Sequence, residues 1–494
     1  MELPLTLSWT TLRPTQRVGL VLGPLAAAAV YLLPSALHRI GDHGALPAAA
    51  AAVTLWMAIW WFTEAVPMGV TSLLPLALFP ALGVFQGAAP GSRVTGAIEP
   101  YFSAYVFLFF GGMTIGAAME RWNLHRRIAL HVLRAIGTHP PRLLAGMLVA
   151  TAGISMWISN TATAVMMVPI GMALLTELEP DADPRAPSRF GAAVMLAIAY
   201  AANVGGMGTK IGTPANSIFA GWVSTNLGRE IGFLEFLLIG LPFMLVLLPL
   251  IWWRLWRLGR HDAPRGGRGR EVLEQQLREL GPMSPSEKIV ATVFAGAALL
   301  WIVSDLIRPA VSPTLASLLQ LERVGASHYE AAVAMAAAVI LLLLRRVTFS
   351  TYRTFPWTAI LLLGGSFAMA EGITASGLSD WLIVQLAGLA AMPTVAQIGL
   401  AALGTIVLSG IASNTATATL MLNVLPRSLP VLGVATLASS CDFALPAGTP
   451  PNAIVFGSGR VRLPTMMKTG LLIDLLAGLL LTVYGVFWLS WLLG

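Results

Sequence analysis

Ser159-Asn160-Thr161-Ala162-Thr163-Ala164 recurs letter for letter as Ser413-Asn414-Thr415-Ala416-Thr417-Ala418. Each copy interrupts a long apolar run, 142–178 in one case and 393–425 in the other. Two further landmarks flank each copy in the same order. Gly111-Gly112 precedes the first and Gly364-Gly365 the second, at nearly the same distance. Gly212-Thr213-Pro214-Ala215-Asn216 follows the first, and Gly448-Thr449-Pro450-Pro451-Asn452 answers it after the second. The chain is therefore two copies of one unit. Apolar segments broken at corresponding places in two halves point to the binding site of a transporter.

Composition agrees with a chain that lives in lipid. Of 494 residues, 56% are hydrophobic and only 11% charged, against about 25% charged in soluble domains. Stretches near the roughly 20 apolar residues that a spanning helix needs recur throughout, for example Val18–Leu37 and Leu234–Trp253. The longest polar run, Arg254 to Lys288, reads as a loop, so no soluble catalytic domain is expected. The single cysteine, Cys441, rules out an intrachain disulfide and reads as inert packing. Residues 1–16 lack a basic start and a small-residue cleavage site, so insertion is expected through the first helix.

The pattern predicts an all-α integral membrane protein of about 11 transmembrane helices plus two re-entrant hairpins. Helices are expected near 17–37, 47–66, 70–88 and 103–119, followed by an amphipathic stretch, 120–136. The broken runs 142–178 and 190–225 come next, and a helix at 233–253 closes the first half. The second half has helices near 286–306, 330–344 and 357–371. The broken runs 393–425 and 429–458 and a last helix, 467–493, complete it. The domain plan is a tail at 1–16, a first repeat at 17–258, a basic loop at 259–285 and a second repeat at 286–494. Lys and Arg set the orientation. With a cytoplasmic N-terminus, only Arg39, Arg93, Arg229, Arg308, Arg323 and Arg427 lie outside. The remainder lie inside, among them Arg121, Arg185, Arg265, Arg268, Arg345, Arg346 and Arg353; Lys210 falls within a span. The formal charge of +7 is thus membrane orientation, and no nucleic-acid partner is expected. The same threading gives the halves opposite orientation, with one hairpin entering from each side.

A chain break inside the membrane is tolerated only where its polar groups are buried or line a cavity. Ser-Asn-Thr at a hairpin tip supplies an amide and two hydroxyls. A helix starting just after it points free N–H groups and its positive end at an anion. Carbonyls freed at the end of the preceding helix suit a hard cation such as Na⁺. One tip can then hold an anion and a cation side by side. The alternative is ordinary helix-packing polarity, which would not require two identical copies in matched breaks.

These motifs, together with the run Thr63-Glu64-Ala65-Val66-Pro67-Met68-Gly69-Val70-Thr71-Ser72-Leu73-Leu74-Pro75, resemble the divalent anion/sodium symporter family over essentially the whole chain. Members carry C4-dicarboxylates, citrate or sulfate. The resemblance implies a homodimer in the cell inner (plasma) membrane, each protomer having a scaffold and a transport domain that moves as an elevator. It implies substrate contacts at Asn160, Thr161, Asn414 and Thr415, with Thr213, Pro214, Thr449 and Pro450 nearby. It places one Na⁺ at Ser155, Ser159, Asn160 and Gly212, and a second at Ser409, Ala412, Asn414 and Gly448. The expected function is Na⁺-coupled transport of small di- or tricarboxylates; a Na⁺-independent exchanger or a carrier of sulfate or another oxyanion is the alternative.

Lys210, two residues before Gly212, and Asp442, six before Gly448, depart from the family pattern. An ionisable side chain at mid-membrane depth needs a partner. Either Lys210 and Asp442 pair, or the Lys210 ammonium does a cation's work beside a Na⁺ site or a substrate carboxylate. His125, His131 and His139 read as solvated or interfacial, and Trp60-Trp61 and Trp252-Trp253 as an interfacial belt. No Walker A sequence, nucleophile elbow or zinc spacing is present, so neither ATP-driven transport nor an enzyme is expected. The repeat and the tips favour alternating access over an anion channel.

Overall fold

The computed structural model describes residues 12–40, 43–85, 91–179, 188–264, 269–319 and 324–494, and the only regular elements among them are helices. Most of the expected tail and the charges Arg185, Arg265, Arg268 and Arg323 lie outside the described residues. Among the described residues ten helices are long and apolar enough to cross a membrane, joined by shorter apolar helices.

The chain opens with α1 (Pro14–Leu32) and α2 (Leu46–Thr63), which pack together, the Trp60 indole donating to the Gly19 carbonyl at 3.0 Å. The helix expected at 70–88 is instead two pieces, α3 (Met68–Thr71) and α4 (Leu74–Leu82). Pro75 starts the second piece and Gly83, at φ 73°, ends it. Then come α5 (Ser92–Ile98), α6 (Ala104–Arg121) and the amphipathic α7 (Leu124–Ile136).

A helical hairpin follows, α8 (Pro140–Ser155) and α9 (Asn160–Leu178), with its turn at the Ser159 motif. The next run breaks into α10 (Arg189–Gly206) and α11 (Pro214–Leu227), and α12 (Phe233–Gly259) closes the half. Every residue of α10 from Phe190 to Gly206 is buried. Its alanines and glycines let neighbouring backbones approach, which is how helices associate without a hydrophobic drive.

The polar run read as a loop contains α13 (Gly269–Leu280). Leu273, Leu277 and Leu280 fall at helical spacing and pack on α7 and α9, so the run is amphipathic. Composition alone hid that pattern. The next helices are α14 (Pro285–Ile302), an unexpected α15 (Ser304–Leu319) that accommodates Pro309 and Pro313, and α16 (Ala326–Leu343). Arg127 of α7 clasps Glu287 of α14 through two of its nitrogens, both side chains buried.

The chain continues with α17 (Trp357–Ala375), α18 (Leu378–Gln385) and α19 (Ala387–Ala390). A second hairpin, α20 (Thr394–Ser409) and α21 (Asn414–Val424), turns at the Ser413 motif. It is followed by a second broken run, α22 (Leu429–Ala438) and α23 (Pro450–Gly457), then α24 (Leu463–Tyr484) and α25 (Ser490–Leu493). The paired glycines serve close helix approach. A Cβ on Gly111 would stand 2.6 Å from Ala334 of α16, and one on Gly365 2.3 Å from the Ser72 carbonyl.

His125, Trp61 and Trp252 are more buried or more tightly bonded than the sequence predicts, whereas Trp253 and Cys441 are not. His125 is buried beside the Met119 carbonyl at 3.0 Å, and that burial lowers its pKa. Trp61 is fully buried and Trp252 donates to the Pro141 carbonyl at 2.9 Å. Trp253, exposed with Arg257 over its ring, fits an interfacial belt. Cys441 is buried.

Candidate functional site

The two hairpin tips and the two breaks face one another across a single cavity of about 1100 Å³. Its wall includes Asn160, Thr161, Asn414 and Thr415, and also Thr213, Pro214, Thr449 and Pro450. All eight substrate-contact candidates are thus brought together from positions up to 290 residues apart in the chain. The four helices that begin here, α9, α11, α21 and α23, present their N-terminal ends to one volume. The first N–H groups of a helix have no partner within it, so α9 and α21 supply donors at the two tips; α11 and α23 begin on Pro214 and on Pro450-Pro451, which have none, and all four turn the positive ends of their dipoles to the cavity.

Each tip is capped by its own serine. Ser159 Oγ accepts from the Ala162 N–H at 3.3 Å, and Ser413 Oγ accepts from the Ala416 N–H at 3.2 Å. Behind each tip a buried serine hydroxyl steadies the asparagine. Ser155 Oγ lies 2.9 Å from Asn160 Oδ1 and 2.7 Å from the Ala202 carbonyl. Ser409 Oγ lies 3.1 Å from Asn414 Oδ1 and 2.5 Å from the Ser439 carbonyl.

The breaks are stapled in the same way in both halves. Asn216 Nδ2 donates to the carbonyls of Gly206 (2.8 Å) and Thr209 (2.6 Å). Asn452 Nδ2 donates to those of Asp442 (2.8 Å) and Leu445 (3.0 Å). The Asn of each Gly-Thr-Pro-x-Asn motif therefore satisfies carbonyls that unwinding has freed, which buried backbone requires. Pro214 and Pro450 occupy the first helical turn, where a missing N–H costs nothing.

Of the first cation set, Ser159, Asn160 and Gly212 line the cavity and Ser155 stands directly behind Asn160. Gly206 links them. A Cβ there would be 2.5 Å from Asn160 Oδ1, and one on Gly212 would be 2.5 Å from the Gly206 carbonyl. Of the second set, Asn414 and Gly448 line the cavity, while Ser409 and Ala412 are buried behind it. Every donor in both sets is a hydroxyl, an amide oxygen or a backbone carbonyl, a chemistry that suits a hard cation and no soft metal. Among the described residues no three His, Cys, Asp or Glu side chains gather as a metal site.

Lys210 and Asp442 do not pair. Lys210 Nζ sits 2.7 Å from Glu330 Oε2, on α16, and donates to the Ile231 carbonyl at 2.5 Å. Both charged side chains are fully buried and Lys210 is absent from the cavity wall. The ammonium is therefore not placed against the cavity. Glu330 lay within a span near the register expected for α16, but nothing in the sequence linked it to a lysine 120 residues away.

Sequence reasoning also missed Asn203, whose amide donates to Thr449 Oγ1 at 3.0 Å and ties the two breaks together at the cavity. A lone Asn in the apolar 190–206 run was the available signal. By sequence Arg121 is a topology marker only. It lies on the cavity rim with Glu120, Ser350 and Thr351, and its guanidinium donates to Thr348 Oγ1 at 2.7 Å and to Thr351 Oγ1 at 3.2 Å.

A family model described as "Sodium:sulfate symporter transmembrane region" matches residues 18–494. Proteins named sodium-dependent dicarboxylate transporter SdcS are similar throughout. That of Staphylococcus saprophyticus is 36% identical over 94% of this chain and 89% of its own length. That of Staphylococcus aureus strain NCTC 8325 is 36% identical over 95% of this chain and 91% of its own. Among solved structures, the Alcanivorax borkumensis YdaH transporter matches with a TM-score of 0.54 at 14% identity, covering 89% of this chain and 98% of that one. Neisseria gonorrhoeae MtrF, described among antimetabolite efflux pumps, matches with a TM-score of 0.54 at 11% identity, covering 87% and 97%. Those two likenesses speak to the fold alone.

Proposed function

We propose that this chain, which belongs to the sodium:sulfate symporter family, is a secondary transporter that carries small dicarboxylates across a membrane together with Na⁺. The observation that carries the reading is the shared cavity, where two Ser-Asn-Thr tips and four helix N-termini converge. A dianion brought into the membrane needs countercharge, because unneutralised charge there is expensive. The cavity floor at the tips is neutral, so Na⁺ supplies that charge from the oxygen-rich pockets behind Asn160 and Asn414. The roles follow by position. Asn160, Thr161, Asn414 and Thr415 hold the carboxylates, with Thr213, Pro214, Thr449 and Pro450 shaping the wall. The two serine-backed sets hold Na⁺. We assign no enzymatic role, as the similar proteins are named as transporters.

The test is uptake of radiolabelled succinate into proteoliposomes holding the purified chain. An inward Na⁺ gradient is expected to drive accumulation at least about tenfold above an equal K⁺ gradient. Equal uptake with either cation would overturn Na⁺ coupling.

Alternating access comes from an elevator motion in a homodimer of the plasma membrane, with the N-terminus cytoplasmic and residues 17–258 and 286–494 as inverted repeats. The exposed rim, with Glu120, Arg121 and Ser350, is on the face that the Arg and Lys bias assigns to the cytoplasm. On this reading the cavity opens to the cytoplasm. Single cysteines at Ser159 and Ser413, each in a Cys441→Ser background, are expected to prefer opposite sides for a membrane-impermeant thiol reagent. Labelling of both from one side under every condition would reject the inversion.

A further inference from the structure

We propose that the Asp442 carboxylate is itself a ligand for Na⁺ at the second tip, giving that cation site a fixed negative charge that the first site lacks. The inference rests on the Na⁺-coupled reading above and adds to it a residue that breaks the symmetry of the two halves.

The staples show which positions correspond. Asn216 bonds to the Gly206 carbonyl and Asn452 to the Asp442 carbonyl, so Gly206 and Asp442 occupy the same place in their halves. In the first half the Asn160 amide lies directly over Gly206 and leaves no room for a side chain there. In the second half a carboxylate fills the equivalent space. It borders the Asn414 amide, and Oδ2 would stand 3.0 Å from a Cβ on Gly448. Asp442 is thus wedged between two members of the second cation set, with Ser409 bonded to the same Asn414 side chain.

Among the described residues the carboxylate has no cationic partner. It is 2% exposed, and the Asn414 amide is the one side-chain donor that reaches towards it, without closing a full hydrogen bond. Lys210 is committed to Glu330. The facing acid, Asp474 of α24, accepts from the Phe443 N–H at 2.9 Å and brings no positive charge. The neighbouring Cys441 is buried and brings no cation. A buried charge without a partner is strongly unfavourable. A hard cation held by the carboxylate, the Asn414 amide oxygen, the Ser409 hydroxyl and unwound carbonyls removes that penalty, and carboxylates are preferred ligands of such ions.

The test uses the full chain in detergent without dicarboxylate. Thermal unfolding is followed as NaCl replaces choline chloride at constant ionic strength. Na⁺ is expected to stabilise the wild type saturably. The half-effective concentration should rise about tenfold or more in Asp442→Asn and Asp442→Ala, because a unit charge is removed from contact distance. An Asp442 that is neutral, holding a proton instead of Na⁺, would leave Asp442→Asn titrating like the wild type, and that result overturns the proposal. If the wild type shows Na⁺-driven succinate uptake while the variants keep its Na⁺ midpoint, only this inference fails. If wild-type uptake ignores Na⁺, the transport reading fails with it. Should neither variant fold, maps of the wild type from electron cryomicroscopy in NaCl and in choline chloride decide the matter. Density between Asp442 and Asn414 that appears only with Na⁺ supports the proposal, and its absence from both overturns it.

Discussion

Replacing both tip asparagines, Asn160→Ala with Asn414→Ala, is expected to lower Na⁺-driven succinate uptake by at least about 100-fold while leaving a folded, inserted protein. Each amide sits at the cavity wall with a buried serine behind it. In the proposed mechanism each faces the anion with one atom and a cation with the other. A hydrogen bond to a charged group is worth about 1.5–3 kcal/mol, and about 1.4 kcal/mol corresponds to a factor of ten. Two such losses, taken from anion and cations together, reach the stated effect. The fold should survive because each amide loses only its bond to the serine behind it, while the caps and staples are made by other residues. Ser159 and Ser413 still cap α9 and α21, and Asn216 and Asn452 still staple the breaks. The measurement is initial uptake rate, with monodisperse elution and wild-type reconstitution as controls. Wild-type rates from the correctly inserted double variant would remove the tips from the mechanism.

The second large effect is on stability. Lys210→Met leaves the Glu330 carboxylate fully buried, with the Phe233 N–H at 2.6 Å as its remaining hydrogen-bond donor. Removing one partner of a buried pair costs about 3–5 kcal/mol. Lys210→Met should therefore lose most of its folded yield or show a sharply lowered melting temperature. Adding Glu330→Gln removes the stranded charge and is expected to restore most of the loss. Since Lys210 is outside the cavity wall, the rescued double variant should keep the wild-type Na⁺ dependence of uptake. A different result, rescue by Asp442→Asn and not by Glu330→Gln, would mean that Lys210 answers the acid of the second break after all. A steeper Na⁺ dependence in the rescued variant would return Lys210 to the coupling mechanism.

The sequence alone determined the class of the protein, its internal repeat and eight residues that line one cavity. Those features rest on local rules. Hydrophobic length is set by membrane thickness, a duplicated Ser-Asn-Thr marks a repeated backbone break, and Gly-Thr-Pro-x-Asn encodes a helix start whose Asn repairs the break preceding it. The eight cavity residues were legible because each motif recurs and because broken helices can only end where their polar groups find company. What the sequence did not determine was pairing. Lys210 and Asp442 are the two conspicuous charges of the breaks, and proximity to matched motifs suggested that they meet. Only the tertiary structure sets which helix faces which, and it brings α16 with Glu330 against Lys210. Asp442 is left instead between Asn414 and Gly448. The same reason accounts for Asn203 and Arg121, whose partners lie in the other half of the chain. It accounts also for α13, a segment polar by composition whose leucines form a stripe that α7 and α9 bury. Long-range contacts carry no local signature, because the free energy that selects them comes from burial and charge pairing between segments that are strangers in sequence.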